Sequence, residues 1–201
     1  VYGDARGRIC EKTGTAPLSP YAMSKLAMEE VAKFYEREEK LDIVIVRAGN
    51  QIGRGQSEQY VASDFARQIV EMEMGIRPLQ MEVGNLQVKR DFLDVRDAIQ
   101  GYLLLMRKAK SGETFNLASG KNILVSELLN GLLNLSCVDP HKIKISVCAS
   151  RFRPEPKAEQ TISITKIQKL GFTPKIPLQK TLRDLLDYWR KRLAYRQEKR
   201  V

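Results

Sequence analysis

Ser19-Pro20-Tyr21-Ala22-Met23-Ser24-Lys25 is the stretch on which the reading of this chain turns. Serine is a strong N-cap because its hydroxyl accepts a backbone N–H that the first helical turn leaves unpaired. Proline suits the next position because it has no N–H to lose and its φ is already helical. A helix is therefore predicted to start at Pro20, and Met23, Ala27, Val31 and Phe34 give it an apolar stripe as far as about Glu38. Asp42-Ile43-Val44-Ile45-Val46-Arg47 follows, β-branched and without alternation. That is the pattern of a strand covered on both faces, as in parallel sheets. Upstream, residues 4–19 are rich in Gly, Thr, Pro and charge and read as a loop.

Further along, Ser63-Asp64 is expected to cap a second helix that stops at Gly75. Strands are expected over 79–83 and 113–118, and a short extended piece over 92–95. A strong helix is expected over 97–108, a shorter one over 126–135 and a period-two strand over 142–147. Residues 151–159 read as a loop, and 164–170 as a short helix stopped by Gly171. The last helix, 178–196, carries the stripe Leu178, Leu182, Leu185, Leu186, Trp189 and Leu193. Strands alternating with helices argue an α/β fold.

Composition narrows the function classes. The chain has 201 residues, 43% of them hydrophobic, which is enough for one large domain or two small ones. No apolar run reaches the roughly 18 residues of a membrane span, and no signal peptide opens the chain, so no membrane partner is expected. Cys10, Cys137 and Cys148 are odd in number and lack metal-ligand spacing, which fits a reduced, cytoplasmic protein. His141 is the single histidine, so a His-based triad or His-rich metal site is not expected. The net charge of +10 fits either a solvated basic surface or an anionic ligand. Aromatic residues do not interleave with the basic clusters as stacking platforms require, so nucleic acid is not expected as the partner.

Tyr21 and Lys25 stand four apart and so share one helix face. An ammonium beside a phenol favours the phenolate, drawing its pKa down from about 10. A tyrosine placed in that way can exchange a proton with a carbonyl or alcohol oxygen while the carbon is reduced or oxidised. Taken alone, the spacing fits a surface tyrosine and lysine equally well.

In context, residues 19–25 closely resemble the active-site helix of the extended short-chain dehydrogenases/reductases. Tyr2-Gly3 resembles the strand end that precedes that helix in the family. Arg47-Ala48-Gly49-Asn50 resembles its Arg-Pro-x-Asn, with Ala48 replacing Pro. Five further stretches are similar to the GDP-4-keto-6-deoxy-D-mannose reductases: residues 50–56, 63–69, 83–86, 90–97 and 112–116. So is the terminal Thr181-Leu182-Arg183-Asp184-Leu185-Leu186-Asp187-Tyr188-Trp189-Arg190. The likeness corresponds to roughly the last two-thirds of such an enzyme, with on the order of 110 residues expected upstream, since a βαβ unit takes about 30.

The resemblance implies an α/β fold: a partial Rossmann-type parallel sheet without its N-terminal fingerprint half, and a smaller α+β nucleotide-sugar-binding lobe. Residues 1–56 and 90–120 would belong to the sheet domain, 57–89 and 121–160 to the lobe, and 161–201 to a C-terminal helical segment. NADP or NAD is the implied cofactor, with no metal. A GDP-sugar is the implied substrate, and the full-length parent is expected to be a homodimer. Tyr21 would be the proton donor to a 4-keto oxygen, and Lys25 would hold the nicotinamide ribose. Ala48 and Gln51 would meet the nicotinamide end of the cofactor. Asn50, Arg67, Arg90 and Arg153 would hold the GDP moiety, where the planar guanidinium fork suits phosphate oxygens.

The implied activity is NAD(P)H-dependent reduction of a GDP-4-keto-6-deoxyhexose. The alternatives are a GDP-mannose 4,6-dehydratase, an epimerase, or a non-catalytic nucleotide-sugar-binding remnant. Several positions depart from the family pattern: Arg54 replaces Pro, Gln51 replaces His, Pro156 replaces an acidic residue, and Ile162-Ser163 replaces Gly-Asp. The glycine turn that seats a dinucleotide pyrophosphate on a helix N-terminus is not found. Neither is the Ser or Thr that the family places before its Tyr-Gly. The chain alone is therefore expected to be an incomplete, inactive fragment.

Overall fold

The structure, a computed structural model, describes residues 1–152 and 160–199. Their elements run in the order β1 (Gly7–Ile9), α1 (Pro20–Glu39), β2 (Ile45–Ala48), β3 (Asn50–Ile52), α2 (Val61–Glu73), β4 (Gln80–Val83), β5 (Lys89–Asp94) and α3 (Val95–Lys108). After these come β6 (Thr114–Leu117), β7 (Asn122–Leu124), α4 (Val125–Leu133), β8 (Lys144–Val147), β9 (Gln160–Ile162), α5 (Thr165–Gln168) and α6 (Leu178–Glu198). Helix α1 starts as its sequence dictates. The Ser19 Oγ accepts the Ala22 N–H at 3.1 Å, and Pro20 is the first helical residue. Its far end is closed by Lys40 in the left-handed conformation, at φ 57°.

The chain divides into two compact units. The first comprises Val1–Gln51, Asp91–Asn122 and the described part of Arg153–Lys175. Here β2 pairs in parallel with β6, from Ile45↔Thr114 to Ala48↔Leu117. Strands β1 and β9 form a second parallel pair, with Gly7↔Gln160 and Ile9↔Ile162. The core gathers Leu93, Leu105, Phe115, Leu117, Ile164, Ile167 and Phe172, with Val44 and Val46 of the predicted β-branched run packed against it. The run is nevertheless half-buried rather than covered on both faces: Ile43 to Arg47 each keep part of their surface open, and only Val44 and Val46 reach the core. Strand β1 lies within a stretch read as loop, because a three-residue strand owes its existence to a partner about 150 residues away rather than to local pattern.

The second unit comprises Ile52–Arg90, Ile123–Phe152 and the described part of Ile176–Val201. Helices α2, α4 and α6 pack on one another, and β4 pairs in parallel with β8 from Gln80↔Lys144 to Val83↔Val147. The α6 stripe is buried as the sequence predicts, through Leu182, Leu185, Leu186, Trp189 and Leu193. The division places residues 160–175 with the first unit and α6 with the second, whereas the sequence reading kept 161–201 together.

Helix α2 begins two residues before the predicted cap. Its N-cap is Tyr60, which makes no side-chain capping bond, and Ser63 and Asp64 fall in the first turn. Tertiary partners have taken their side chains instead. The Ser63 Oγ donates to the Gln56 carbonyl at 2.7 Å and accepts the Trp189 indole N–H at 3.0 Å. The Asp64 carboxylate receives Arg67, Gln68 and Arg151.

Candidate active site

Tyr21 and Lys25 come together at the start of α1, where the Ser19 cap and Pro20 fix the first turn. The Lys25 Nζ lies 5.4 Å from the centroid of the Tyr21 ring. Tyr21 is 72% exposed and Lys25 is exposed too, so an incoming molecule can reach both. The Ser24 hydroxyl donates to the Tyr21 carbonyl at 2.8 Å. Ala48 ends β2, and Asn50 and Gln51 open β3 directly after Gly49. Gly49 is held by its N–H donating to the Leu117 carbonyl at 2.9 Å. Asn50 donates to the Asp91 carbonyl at 2.9 Å, and Gln51 to the Tyr102 hydroxyl at 3.0 Å.

Asp91 in turn organises the loop after β6. Its carboxylate accepts the Ser119 N–H at 2.7 Å and the Lys121 N–H at 3.0 Å. Burial pushes the Asp91 carboxyl above the usual carboxylate range, and the backbone hydrogen bonds from 119–121 only partly oppose it.

Arg67 and Arg90 belong to the second unit. Arg67 lies among three carboxylates, those of Asp64, Glu71 and Glu58. The Arg90 guanidinium donates to the Lys89 carbonyl at 2.9 Å. Arg153 lies outside the described residues. A cavity of about 900 Å³ in the first unit is lined by Arg6, Arg8 and Lys121 among others, and among the described residues none of the sequence-predicted site residues lines it. Among the described residues, no group of His, Cys, Asp and Glu could hold a metal ion, and no helix is long and apolar enough to cross a membrane.

Two residues to which the sequence reading gave no role of their own join α1 to β2. Glu29 is the one buried residue of α1, 6% exposed. It forms a bidentate pair with Arg47, whose Nε and Nη2 donate at 2.9 and 2.6 Å. The Arg47 Nη1 also donates to the Tyr2 hydroxyl at 3.1 Å and the Glu11 carbonyl at 3.2 Å. Tyr2 passes the connection to Asn116 on β6, its hydroxyl donating to the Oδ1 at 2.6 Å. Burial pushes the Glu29 carboxyl up, but the Arg47 and Lys33 hydrogen bonds outweigh it and hold the group below the usual carboxylate range. The Glu29 hydrogen bond, against burial, raises Arg47 above the ordinary guanidinium value. The available signal was a glutamate one turn beyond Lys25, together with an arginine closing an otherwise apolar strand.

An accessible Tyr-x3-Lys pair on a capped helix, in a unit built on parallel strand pairs, fits the extended short-chain dehydrogenase/reductase class, of which nucleotide-sugar dehydratases, reductases and epimerases form a part. Residues 1–185 match the GDP-mannose 4,6 dehydratase family, and the chain belongs to it. A GDP-6-deoxy-D-mannose reductase of Pseudomonas aeruginosa is 32% identical over 96% of this chain and 64% of its own length. Among solved structures, RMD from Pseudomonas aeruginosa complexed with NADPH superposes with a TM-score of 0.83 at 31% identity, covering 92% of this chain and 60% of that one. A UDP-glucuronic acid 4-epimerase from Bacillus cereus in complex with NAD gives a TM-score of 0.77 at 26% identity, over 96% of this chain and 59% of the epimerase. The chain thus spans less than two-thirds of the length of each of these relatives.

Proposed function

We propose that the polypeptide carrying this chain reduces the 4-keto group of a GDP-4-keto-6-deoxyhexose, giving a GDP-6-deoxyhexose with NADPH or NADH as reductant. The observation that carries the reading is the exposed Tyr21–Lys25 pair in a chain 32% identical to a GDP-6-deoxy-D-mannose reductase. The pair fits the ribose side of a nicotinamide cofactor. The Lys25 ammonium offers three donors to ribose hydroxyls, and the open Tyr21 phenol leaves room for a carbonyl beside it. When bound, the reduced nicotinamide supplies the hydride. Tyr21 gives its phenolic proton to the 4-keto oxygen, so the C=O becomes CH–OH. Lys25 stabilises the negative charge left on the phenol by Coulomb attraction at short range. Ala48 and Gln51 border the nicotinamide end in this reading, and Asn50, Arg67, Arg90 and Arg153 hold the GDP moiety. The protein is read as a cytoplasmic homodimer.

Dehydratases and epimerases use the same kind of pair, so product identity discriminates among the three activities. The test supplies a GDP-4-keto-6-deoxyhexose and NADPH, follows cofactor oxidation by absorbance, and identifies the sugar by NMR. Reduction to the 6-deoxyhexose is expected. Tyr21→Phe is expected to lower turnover by about 10²–10⁴-fold, the range for losing a general acid, with GDP-sugar affinity unchanged. Wild-type turnover in that variant would remove Tyr21 from the role of acid. Release of a dehydrated or epimerised sugar would replace the reductase reading.

A further inference from the structure

We infer that Glu29 and Arg47 are positioning residues, whose buried ion pair sets the Tyr21–Lys25 face of α1 against the strand end that carries Ala48 to Gln51. The inference rests on the reductase reading of that face. Tyr21, Lys25 and Glu29 recur every four residues, so they lie on neighbouring turns of one helix side, about 12 Å apart from first to last. Within this chain the helix has little else to fix its rotation. Its apolar residues Met23, Met28, Val31, Phe34 and Tyr35 are exposed, and only Ala22, Leu26 and Ala32 are half-buried. The one side chain it buries is a carboxylate.

A buried ion pair is a poor way to gain stability, because both charges lose their hydration. It does fix geometry. The planar guanidinium fork accepts a carboxylate in only a narrow range of angles and distances, so it defines both the azimuth of α1 and its height along β2. Arg47 is itself anchored on two sides. It holds its place in β2 opposite Asn116, and its Nη1 reaches the Tyr2 hydroxyl, which is bonded to the Asn116 side chain. Asn116 is fully buried, and its Nδ2 donates to the Ile9 and Ser163 carbonyls. The clamp therefore runs from α1 through β2 and Tyr2 to β6, and its Arg47 end is one residue from Ala48. Lys33 also reaches Glu29 at 3.0 Å, but it is the more exposed partner and is shared with Glu30 of the same helix.

The test compares Glu29→Gln, which keeps the shape and loses the charge, with Arg47→Lys, which keeps the charge and loses the fork. Lys33→Met is the control. In the polypeptide carrying this chain, the first two are expected to lower kcat for the keto-sugar about 10- to 100-fold, the scale of an ångström's misplacement. KM for the nucleotide sugar should stay within about threefold, since a ligand-binding group has not been removed. Lys33→Met should leave kcat unchanged. Undiminished kcat in either folded variant, or a loss no larger than the unfolded fraction measured by circular dichroism, overturns the inference. Tyr2→Phe, which removes only the outer anchor of Arg47, covers the case in which both variants unfold. Faster hydrogen exchange at amides 23–27, with 31–39 unchanged, is then expected, and identical exchange refutes the clamp. If the wild-type polypeptide reduces no nucleotide sugar, the reductase reading fails, and the exchange experiment still decides the positioning role.

Discussion

Arg67 and Arg90 are both candidates from the sequence, with Arg90 the more favoured of the two. Arg67 is already neutralised by three carboxylates, so a phosphate there competes with Asp64, Glu71 and Glu58. Arg90→Ala is expected to weaken GDP-sugar binding by about 2–5 kcal/mol, the cost of leaving a partner charge unpaired. Calorimetry on the folded variant measures it, and unchanged affinity would assign Arg90 a purely structural role. Residue-level chemistry was only partly legible in advance. Tyr21 and Lys25 could be paired from their spacing, because one helix carries both. The Glu29–Arg47 pair joins two elements 18 residues apart, and its existence depends on how α1 packs on β2, which no local pattern encodes.

Elements with local signals were readable and those without were not. Helix α1 announced its start through Ser19 and Pro20, and α6 its buried face through six apolar residues at helical spacing. Strands β1 and β9 carry no pattern of their own and exist through each other. The apolar stripe of α1 was recognised as a stripe, but it is exposed rather than buried in the described structure. Spacing reports that a face is apolar and not which surface covers it. Helix α3 shows a tighter constraint. Gly101 faces Leu117 on β6 and the Phe172 ring, and a Cβ there would fall on the Leu117 side chain. Alanine ordinarily favours a helix interior over glycine by about 1 kcal/mol, but overpacking costs about 1–3 kcal/mol. Gly101→Ala should therefore lose about 1 kcal/mol on balance. Urea unfolding measures the difference, and a net gain would show that α3 does not press on β6 as closely as described.

At the scale of the whole molecule, the exposed residues of α1 bear on assembly. Met28, Val31, Phe34 and Tyr35 give α1 an apolar face that this chain by itself leaves exposed. In the homodimer reading a second copy covers it, with the same patch contributed by each partner. Val31→Asp with Phe34→Asp should convert the dimer to a monomer in sedimentation equilibrium without loss of helical signal. A wild-type protein that sediments as a monomer at tens of micromolar would exclude this face as a dimer contact. Trp189 has a different consequence. It is the only tryptophan in the sequence, 1% exposed within the α2–α4–α6 unit, with its indole N–H on Ser63. Its fluorescence is therefore a private reporter. Emission follows the unpacking of that one unit, while the unit bearing Tyr21, Lys25 and the Glu29–Arg47 pair can melt without touching the tryptophan signal.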